Sequence, residues 1–205
     1  MSADLVIPRN NETEFVEIAA KLGIKKFYFL YDFDEYNEGK IQKKFDTLNH
    51  HNINIEIGFI VNQKNLSKAF KASRLLAVKS SDHDRFFIES KKIKVIYGFG
   101  EVSKKDSMHQ KSSGLNHIIC ELAMKNNITV GFSYSSLFNK NLAVSSLLIG
   151  RIIQNISLCQ KYKVKTIIGS FSEKPFDLRA SHDIMSLFAM IGMHQKEVNN
   201  SLTNT

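Results

Sequence analysis

Residues 128–132 have the sequence Ile-Thr-Val-Gly-Phe and residues 166–169 have Thr-Ile-Ile-Gly, on either side of a helical stretch from 142 to 162. The two short segments are rich in β-branched residues, which favour strands. In the long segment apolar residues recur at the spacing of one helix face, at Ile149, Ile152, Ile156 and Cys159. A strand, a long helix and a second strand predict two parallel strands joined by a crossover helix.

The same alternation extends outward over the whole chain. The predicted strands are residues 3–7, 26–30, 53–61, 75–78, 93–97, 128–132 and 166–169. A (β/α) barrel and a doubly wound sheet both fit this repeat. However, Ile7-Pro8-Arg9-Asn10 follows the first strand, where a dinucleotide-binding fold carries a glycine-rich turn. We therefore expect an α/β fold, a TIM-barrel-like (β/α) barrel whose site lies at the C-terminal ends of the strands.

Helices are expected between these strands, and polar residues mark several of their starts. The predicted helices are residues 11–21, 41–48, 66–72, 82–90, 115–122, 142–162 and 183–190. The predicted N-caps are Asn10 or Asn11, Asp82, Ser112 or Ser113, and Ser181. We expect one barrel domain over residues 1–193 and a polar, frayed C-terminal tail over residues 194–205.

The charge of the chain is uneven. It has 28 Lys and Arg against 20 Asp and Glu, a formal net charge of +8. Residues 1–38 carry four basic and eight acidic side chains, so the excess of cations belongs to the rest of the chain. Two interpretations remain open at this point: a basic protein with solvated lysines, or a face that binds a polyanion.

Several classes of protein are not favoured. No signal peptide and no apolar run long enough to span a bilayer is evident, and we expect a cytoplasmic protein. Cys120 and Cys159 lie in apolar stretches and are expected to be reduced core residues. Seven histidines form no His-x-His or His-x-x-x-His pair, so no metal site is expected. The chain also lacks a Gly-x-Ser-x-Gly elbow and a phosphate-binding Walker loop.

Two loops combine cations with a helix start. Lys111 precedes the helix that carries His117, and Arg179 precedes the last predicted helix. Free backbone N–H groups together with a cation form a ready anion site. Other interpretations stay open: Arg179 could pair with Asp177 or Asp183, Asp183 could serve only as a helix-start acid, and His117 could be buried. Arg151, Lys161 and Lys163 on or after the longest helix could contact the phosphate backbone of a nucleic acid or simply be solvated.

These residues resemble the family of archaeal ribonuclease P protein component three, the counterpart of the eukaryotic thirty-kilodalton ribonuclease P/MRP subunit. The resemblance is strongest from about residue 105 to 193. It is carried by Lys105-Asp106, Ser113-Gly114-Leu115-Asn116-His117, Leu122-Ala123-Met124-Lys125, Ile128-Thr129-Val130-Gly131-Phe132-Ser133, Lys161-Tyr162-Lys163, Ser170-Phe171-Ser172, Pro175, Leu178-Arg179, Asp183, Leu187-Phe188 and Gly192-Met193.

The resemblance implies a barrel similar to metal-dependent phosphoesterases but without their metal ligands. It implies a subunit of ribonuclease P, an endonuclease whose catalytic RNA removes the 5′ leader of precursor tRNA. The implied partners are that RNA, precursor tRNA in the complex, and a second small protein subunit, paired as two heterodimers. The chain itself would then be non-catalytic and bind no cofactor, while magnesium would serve the RNA-catalysed reaction.

The resemblance also implies roles for individual residues. Functional basic and polar positions of the family match Lys111, His117, Lys161 or Lys163, Arg179 and Asp183. Together with the patterns above, this leads us to expect RNA binding by Lys111, His117, Arg151, Lys161, Lys163 and Arg179, and loop organisation by Ser113, Ser170, Ser181 and Asp183. Two positions depart from the family pattern: Ser181 replaces a common proline, and Gln110 replaces a basic residue. The alternative function from another class is a metal-dependent barrel phosphoesterase that acts without RNA, and a scaffold that binds acidic protein surfaces is a third option.

Overall fold

A computed structural model describes residues 3–36, 39, 53–73, 75–101, 106, 111–138 and 141–203. Seven strands form one sheet in chain order, and each pairs in parallel with the next. The strands are β1 (Ala3–Val6), β2 (Lys26–Asp32), β3 (Asn54–Ile60), β4 (Leu76–Lys79), β5 (Val95–Tyr97), β6 (Thr129–Ser133) and β7 (Thr166–Gly169). The predicted strands are thus confirmed, with ends that differ by at most two residues.

Hydrogen bonds join the first strand to the segment after the last one. The N–H of Phe171 donates to the carbonyl of Leu5 at 2.7 Å, and the N–H of Ile7 donates to the carbonyl of Ser172 at 2.9 Å. The sheet therefore curls into a nearly closed barrel, which confirms the predicted TIM-barrel-like fold.

Alternate residues of each strand enter two separate apolar clusters, as the period of a strand requires. The inner cluster fills the barrel with side chains that include Leu5, Leu30, Tyr97 and Phe171. The outer cluster joins the other face of the sheet to the helices and includes Val6, Phe29, Val130 and Ile168. The outer cluster also holds Cys120 and Cys159, which confirms that these thiols are core residues.

Helices cover the outside of the barrel. They are α1 (Glu12–Leu22), α2 (Leu66–Ala72), α3 (Asp84–Ser90), α4 (His117–Lys125), α5 (Ser135–Phe138), α6 (Leu142–Tyr162), α7 (Ser181–Met190) and α8 (Gln195–Thr203). Short 3-10 turns occur at Phe99–Glu101 and Pro175–Asp177. The predicted helix 41–48 and Gln110 lie outside the described residues.

Several predicted N-caps are wrong. Asn116 caps α4 in place of Ser112 or Ser113, because its Oδ1 accepts the N–H of Ile119 at 2.9 Å. Ala180 precedes α7, and Ser181 is already helical, so its hydroxyl is one position too late to cap. At α3 the carboxylate of Asp84, rather than Asp82, accepts the N–H of Ser81 at 2.7 Å.

The expected frayed tail is also wrong over residues 195–203, which form helix α8. Val198 and Leu202, four residues apart, are buried, and the Thr166 and Ser201 hydroxyls are 2.7 Å apart. One apolar stripe on an otherwise polar helix is enough to hold it against β7.

Helix α6 has the length and composition of a membrane-crossing helix, which the sequence prediction did not allow for. It nevertheless buries Arg151 and Asn155 within the fold, where both make hydrogen bonds. Core helices of globular proteins pass the same length and composition test, so length and composition alone are weak evidence for a membrane span.

Candidate functional site

All strands end at one face of the barrel, which we call the rim. A cavity of about 440 Å³ opens there, between residues that include Ile7, Tyr97, Phe171 and Ser172, and we call it the rim cavity. Its charged lining residues nearly balance: they are Arg9, Lys79, Lys174, Asp32, Glu101, Glu173 and Asp177. Arg9 bridges Glu35 and Glu173 at 3.0 Å each, and Lys79 pairs with Glu101 at 3.0 Å. Since these cations are already neutralised, the barrel mouth itself offers little attraction to a polyanion.

The rings of Tyr97 and Phe171 also line the rim cavity. They stack with centroids 4.3 Å apart and planes 11° from parallel. Gly131 permits this arrangement, because a Cβ at that position would lie 2.9 Å from both the Phe171 ring and the Tyr97 Cβ. Packed aromatic rings therefore close the barrel interior beneath the cavity.

Arg179 lies beside the cavity on the loop between β7 and α7. Its Nη1 donates to the carbonyls of Phe176 at 2.9 Å and Leu178 at 2.8 Å, and its Cζ is 5.1 Å from the centroid of the Phe138 ring. Across the described part of the chain no carboxylate forms a salt bridge with it. The carboxylate of Asp177 instead accepts the hydroxyl of Ser172 at 2.5 Å. The charge of Arg179 thus remains available to a ligand.

Ser170 organises the same end of the barrel. Its N–H donates to Asp4 at 2.6 Å, and its hydroxyl donates to the carbonyl of Leu5 at 3.1 Å. Its carbonyl accepts the hydroxyls of Ser133 at 2.9 Å and Ser135 at 2.6 Å. A single buried serine therefore connects β1, β6 and β7. Ser181 and Asp183, by contrast, lie in the first turn of α7 and make no such connection among the described contacts.

Arg151 does not lie where an RNA-binding residue should. Its side chain is 1% exposed, its Nε donates to Asp106 at 2.8 Å, and its Nη1 donates to the carbonyl of Gly100 at 2.7 Å. The N–H of Ser112 and this guanidinium hold the pKa of the Asp106 carboxyl below its usual range. We therefore correct the expected role of Arg151: its charge is neutralised inside the fold, and it organises the loop before α4.

The other predicted residues of that loop are distributed differently. Lys111 is exposed, with its Nζ 3.3 Å from the carbonyl of Gly150. His117 is an exposed residue at the start of α4, so the buried alternative is wrong. Ser113 is buried, and its carbonyl accepts the amide of Asn155 at 2.9 Å, which fits a loop-organising residue.

Lys161 and Lys163 lie at the opposite end of the barrel. Both are exposed, and they lie at the C-terminal end of α6, which begins after β6 and ends just before β7. Because β6 and β7 are parallel, the start of β7 is on the face opposite the rim. A larger cavity of about 1040 Å³ opens on that face, lined in part by Lys94, Lys165 and α8. The predicted cations therefore form two groups rather than one rim.

No group of three or more His, Cys, Asp or Glu side chains that could hold a metal ion occurs among the described residues. His83, His117 and His182, which lie at or just before the helix starts on the rim side, are exposed. His182 Nδ1 lies 3.8 Å from the carboxylate of Asp183, its sequence neighbour.

Comparison with known proteins assigns this chain to a protein family. Residues 1–205 match the family model of RNase P subunit p30. The chain belongs to the RNase P subunit p30 family. This confirms the resemblance found in the sequence.

Individual members of the p30 family are distant relatives of this chain. Ribonuclease P protein component 3 from Thermococcus kodakarensis is 31% identical over 93 residues, which is 45% of this chain and 42% of that protein. The protein of the same name from Thermococcus gammatolerans is 28% identical over 153 residues, 72% of this chain and 68% of that protein. In the first of these the chain spans about two fifths of the relative's length.

Solved structures share the barrel fold of this chain at low identity. A chain in a cryo-EM structure of archaeal ribonuclease P with mature tRNA superposes with a TM-score of 0.80, at 14% identity, over 97% of this chain and 87% of that one. An uncharacterized protein superposes with a TM-score of 0.61, at 7% identity, over 98% of this chain and 72% of that one. At these identities the likeness establishes the fold alone.

Proposed function

We propose that this p30 chain is a non-catalytic protein subunit of ribonuclease P and supports the catalytic RNA in removing the 5′ leader from precursor tRNA. The observation that carries the proposal is the family match over residues 1–205. The structural similarity to a chain of archaeal ribonuclease P over 97% of the molecule supports it.

Within that assembly the two groups of cations would bind RNA. Lys111 and His117 are exposed at the rim, where Arg179 is half-buried, and Lys161 and Lys163 are exposed at the other end. Such contacts release counterions from phosphates, so they give affinity that falls steeply with salt and carries little sequence preference. The rim cavity, whose charged lining nearly balances, would not hold a phosphate. Magnesium would serve the RNA, and a second small protein subunit would pair with this one into a heterotetramer, in the cytoplasm.

The decisive experiment is cleavage of precursor tRNA at limiting magnesium. The purified chain alone, the matching catalytic RNA alone, and the RNA with this chain and a candidate second subunit are compared. We expect cleavage only where the RNA is present, and a higher rate when the proteins are added. Cleavage by the chain alone, free of contaminating RNA, would instead support the metal-dependent phosphoesterase.

Variants of two arginines separate a specific contact from a general loss of charge. Arg179→Ala should slow RNA-dependent cleavage and leave the barrel folded, because its guanidinium has no carboxylate partner among the described residues. Arg85→Ala is the matched control, since Arg85 is exposed and paired with Glu89 at 2.7 Å on α3. Equal rates of RNA-dependent cleavage for wild type and Arg179→Ala would show that Arg179 does not contact the RNA.

A further inference from the structure

An aromatic ring is held in solvent on a rigid turn beside Arg179. The side chain of Phe176 is 80% exposed, although both of its neighbours, Pro175 and Asp177, are buried. The turn is fixed by backbone bonds from Asp177 to Lys174 and from Leu178 to Pro175, both at 3.1 Å. The exposure of Phe176 is therefore not a consequence of a loose loop.

A second exposed aromatic ring lies near Arg179. Phe138, at the end of α5, is 45% exposed. The guanidinium of Arg179 lies 5.1 Å from its centroid while donating to the carbonyl of Phe176 at 2.9 Å. Two exposed phenyl rings and one cation thus share a corner of the rim. We name Phe138, Phe176 and Arg179 the aromatic corner.

The geometry of the aromatic corner points to an unpaired nucleotide as its ligand, with the base stacked on an exposed phenyl ring and a phosphate on the guanidinium of Arg179. This inference rests on the proposed function and deepens it, because it assigns single-stranded RNA rather than a duplex to this part of the rim. Aromatic rings interleaved with cations are the usual means of holding unpaired bases, since every base has a π-face and a neighbouring phosphate.

Charge favours RNA over an apolar protein surface as the occupant. No described carboxylate neutralises Arg179, so an apolar partner would have to desolvate an unpaired cation together with the two rings. A phosphate would pair with that cation, and the positive net charge of +8 attracts a polyanion to the chain.

The test uses a short single-stranded RNA that carries the fluorescent base 2-aminopurine, with an abasic RNA of the same phosphate count beside it. We expect the wild-type chain to quench the fluorescent base and to bind the base-containing RNA more tightly than the abasic one. Phe176→Ala should weaken binding by about 5- to 150-fold, the range for one stacked base, and Phe176→Tyr should restore it.

Salt dependence separates the ring from the cation. Phe176→Ala should leave the slope of log K against log salt unchanged, whereas Arg179→Ala should lower it by about one phosphate contact. Phe70→Ala is the control for loss of an exposed phenyl ring away from the corner, because Phe70 on α2 is 46% exposed, close to the 45% of Phe138. All variants should retain the wild-type unfolding midpoint.

Three results would overturn the aromatic corner as a nucleotide site: no quenching by the wild type, equal affinity for abasic RNA, or no effect of Phe176→Ala and Phe138→Ala. If those variants spare RNA binding but weaken association with the second protein subunit, the corner is a protein-docking surface. Quenching without any support of precursor tRNA cleavage would reject the proposed function and leave the stacking site standing.

Discussion

The hydroxyl of Tyr134 donates a hydrogen bond of 2.5 Å to the carboxylate of Asp4, 130 positions earlier in the chain. The other oxygen of Asp4 accepts the N–H of Ser170 at 2.6 Å. Both residues are buried, so this contact fastens β1 to the loops after β6 and β7 where the barrel closes. Because the Asp4 carboxyl group is buried at this closure, its protonation is coupled to the stability of the barrel.

Asp4 should make the stability of the barrel depend on pH. Burial raises the pKa of its carboxyl to about 6, above the value near 3.9 of an unfolded chain. The native state therefore binds the proton more tightly. The contribution of Asp4 to the free energy of unfolding is fully present below pH ~4 and is lost as the pH rises through ~6. The loss amounts to about 3 kcal/mol.

Asp4→Asn tests this effect, because an amide imitates the protonated acid toward Ser170 and Tyr134. In urea unfolding between pH 4 and 7, the free energy of unfolding of the variant should increase relative to that of the wild type as the pH rises. Asp82→Asn, at an exposed aspartate of the α3 loop, should follow the wild-type curve. Parallel curves for wild type and Asp4→Asn would mean that Asp4 is solvated.

Arg151→Ala should destabilise the fold by about 2–4 kcal/mol, since it leaves the Asp106 carboxylate and the Gly100 carbonyl without their guanidinium partner. Arg85→Ala should change stability by less than about 0.5 kcal/mol, as expected for an exposed ion pair. Chemical unfolding measures both. A variant Arg151→Ala that is as stable as wild type but binds RNA less well would restore the original RNA-contact prediction.

Gly131→Ala should cost about 1–3 kcal/mol, because the added methyl group would overlap the stacked Tyr97 and Phe171. Gly150→Ala is the comparison within helix α6. There the new Cβ would lie 3.3 Å from the flexible end of Lys111, and alanine favours a helix by about 0.5–1 kcal/mol over glycine. Thermal unfolding should rank Gly150→Ala at or above wild type and Gly131→Ala below it.

Val198→Ala should lower the free energy of unfolding by about 1–3 kcal/mol, because Val198 is fully buried on the inner face of α8. Lys196→Ala, at an exposed position of the same helix, should have little effect. Proteolysis should cut residues 195–203 faster in the valine variant. Equal stability of the two variants would show that α8 contributes nothing to the barrel.

The barrel was predictable because each strand carries its own signal. Segments such as residues 128–132 and 166–169 are short, apolar and followed by polar residues, and burial on both faces of a parallel sheet requires such a pattern. Helix α8 escaped prediction because its stripe is only two residues, Val198 and Leu202, within a polar sequence. Its stability comes from contact with β7, which local composition does not reveal.

The candidate site was less predictable, because its charge state depends on distant partners. Arg9 is neutralised by Glu173, 164 positions away, and Arg151 by Asp106, 45 positions away. The sequence shows these residues as cations with no indication of their pairing. The exposure of Phe176 was equally hidden, since phenylalanine is ordinarily a core residue.

The bonds from Phe171 to Leu5 and from Ser172 to Ile7 have a consequence for synthesis of the chain. The outer edge of β1 leaves the ribosome some 165 residues before its partners do. Until then the growing sheet has two open edges, each able to pair with another chain. Closure of so long a loop is slow and comes late. Misassembly of this protein is therefore a hazard of the nascent chain, and it ends when residues 169–172 are released.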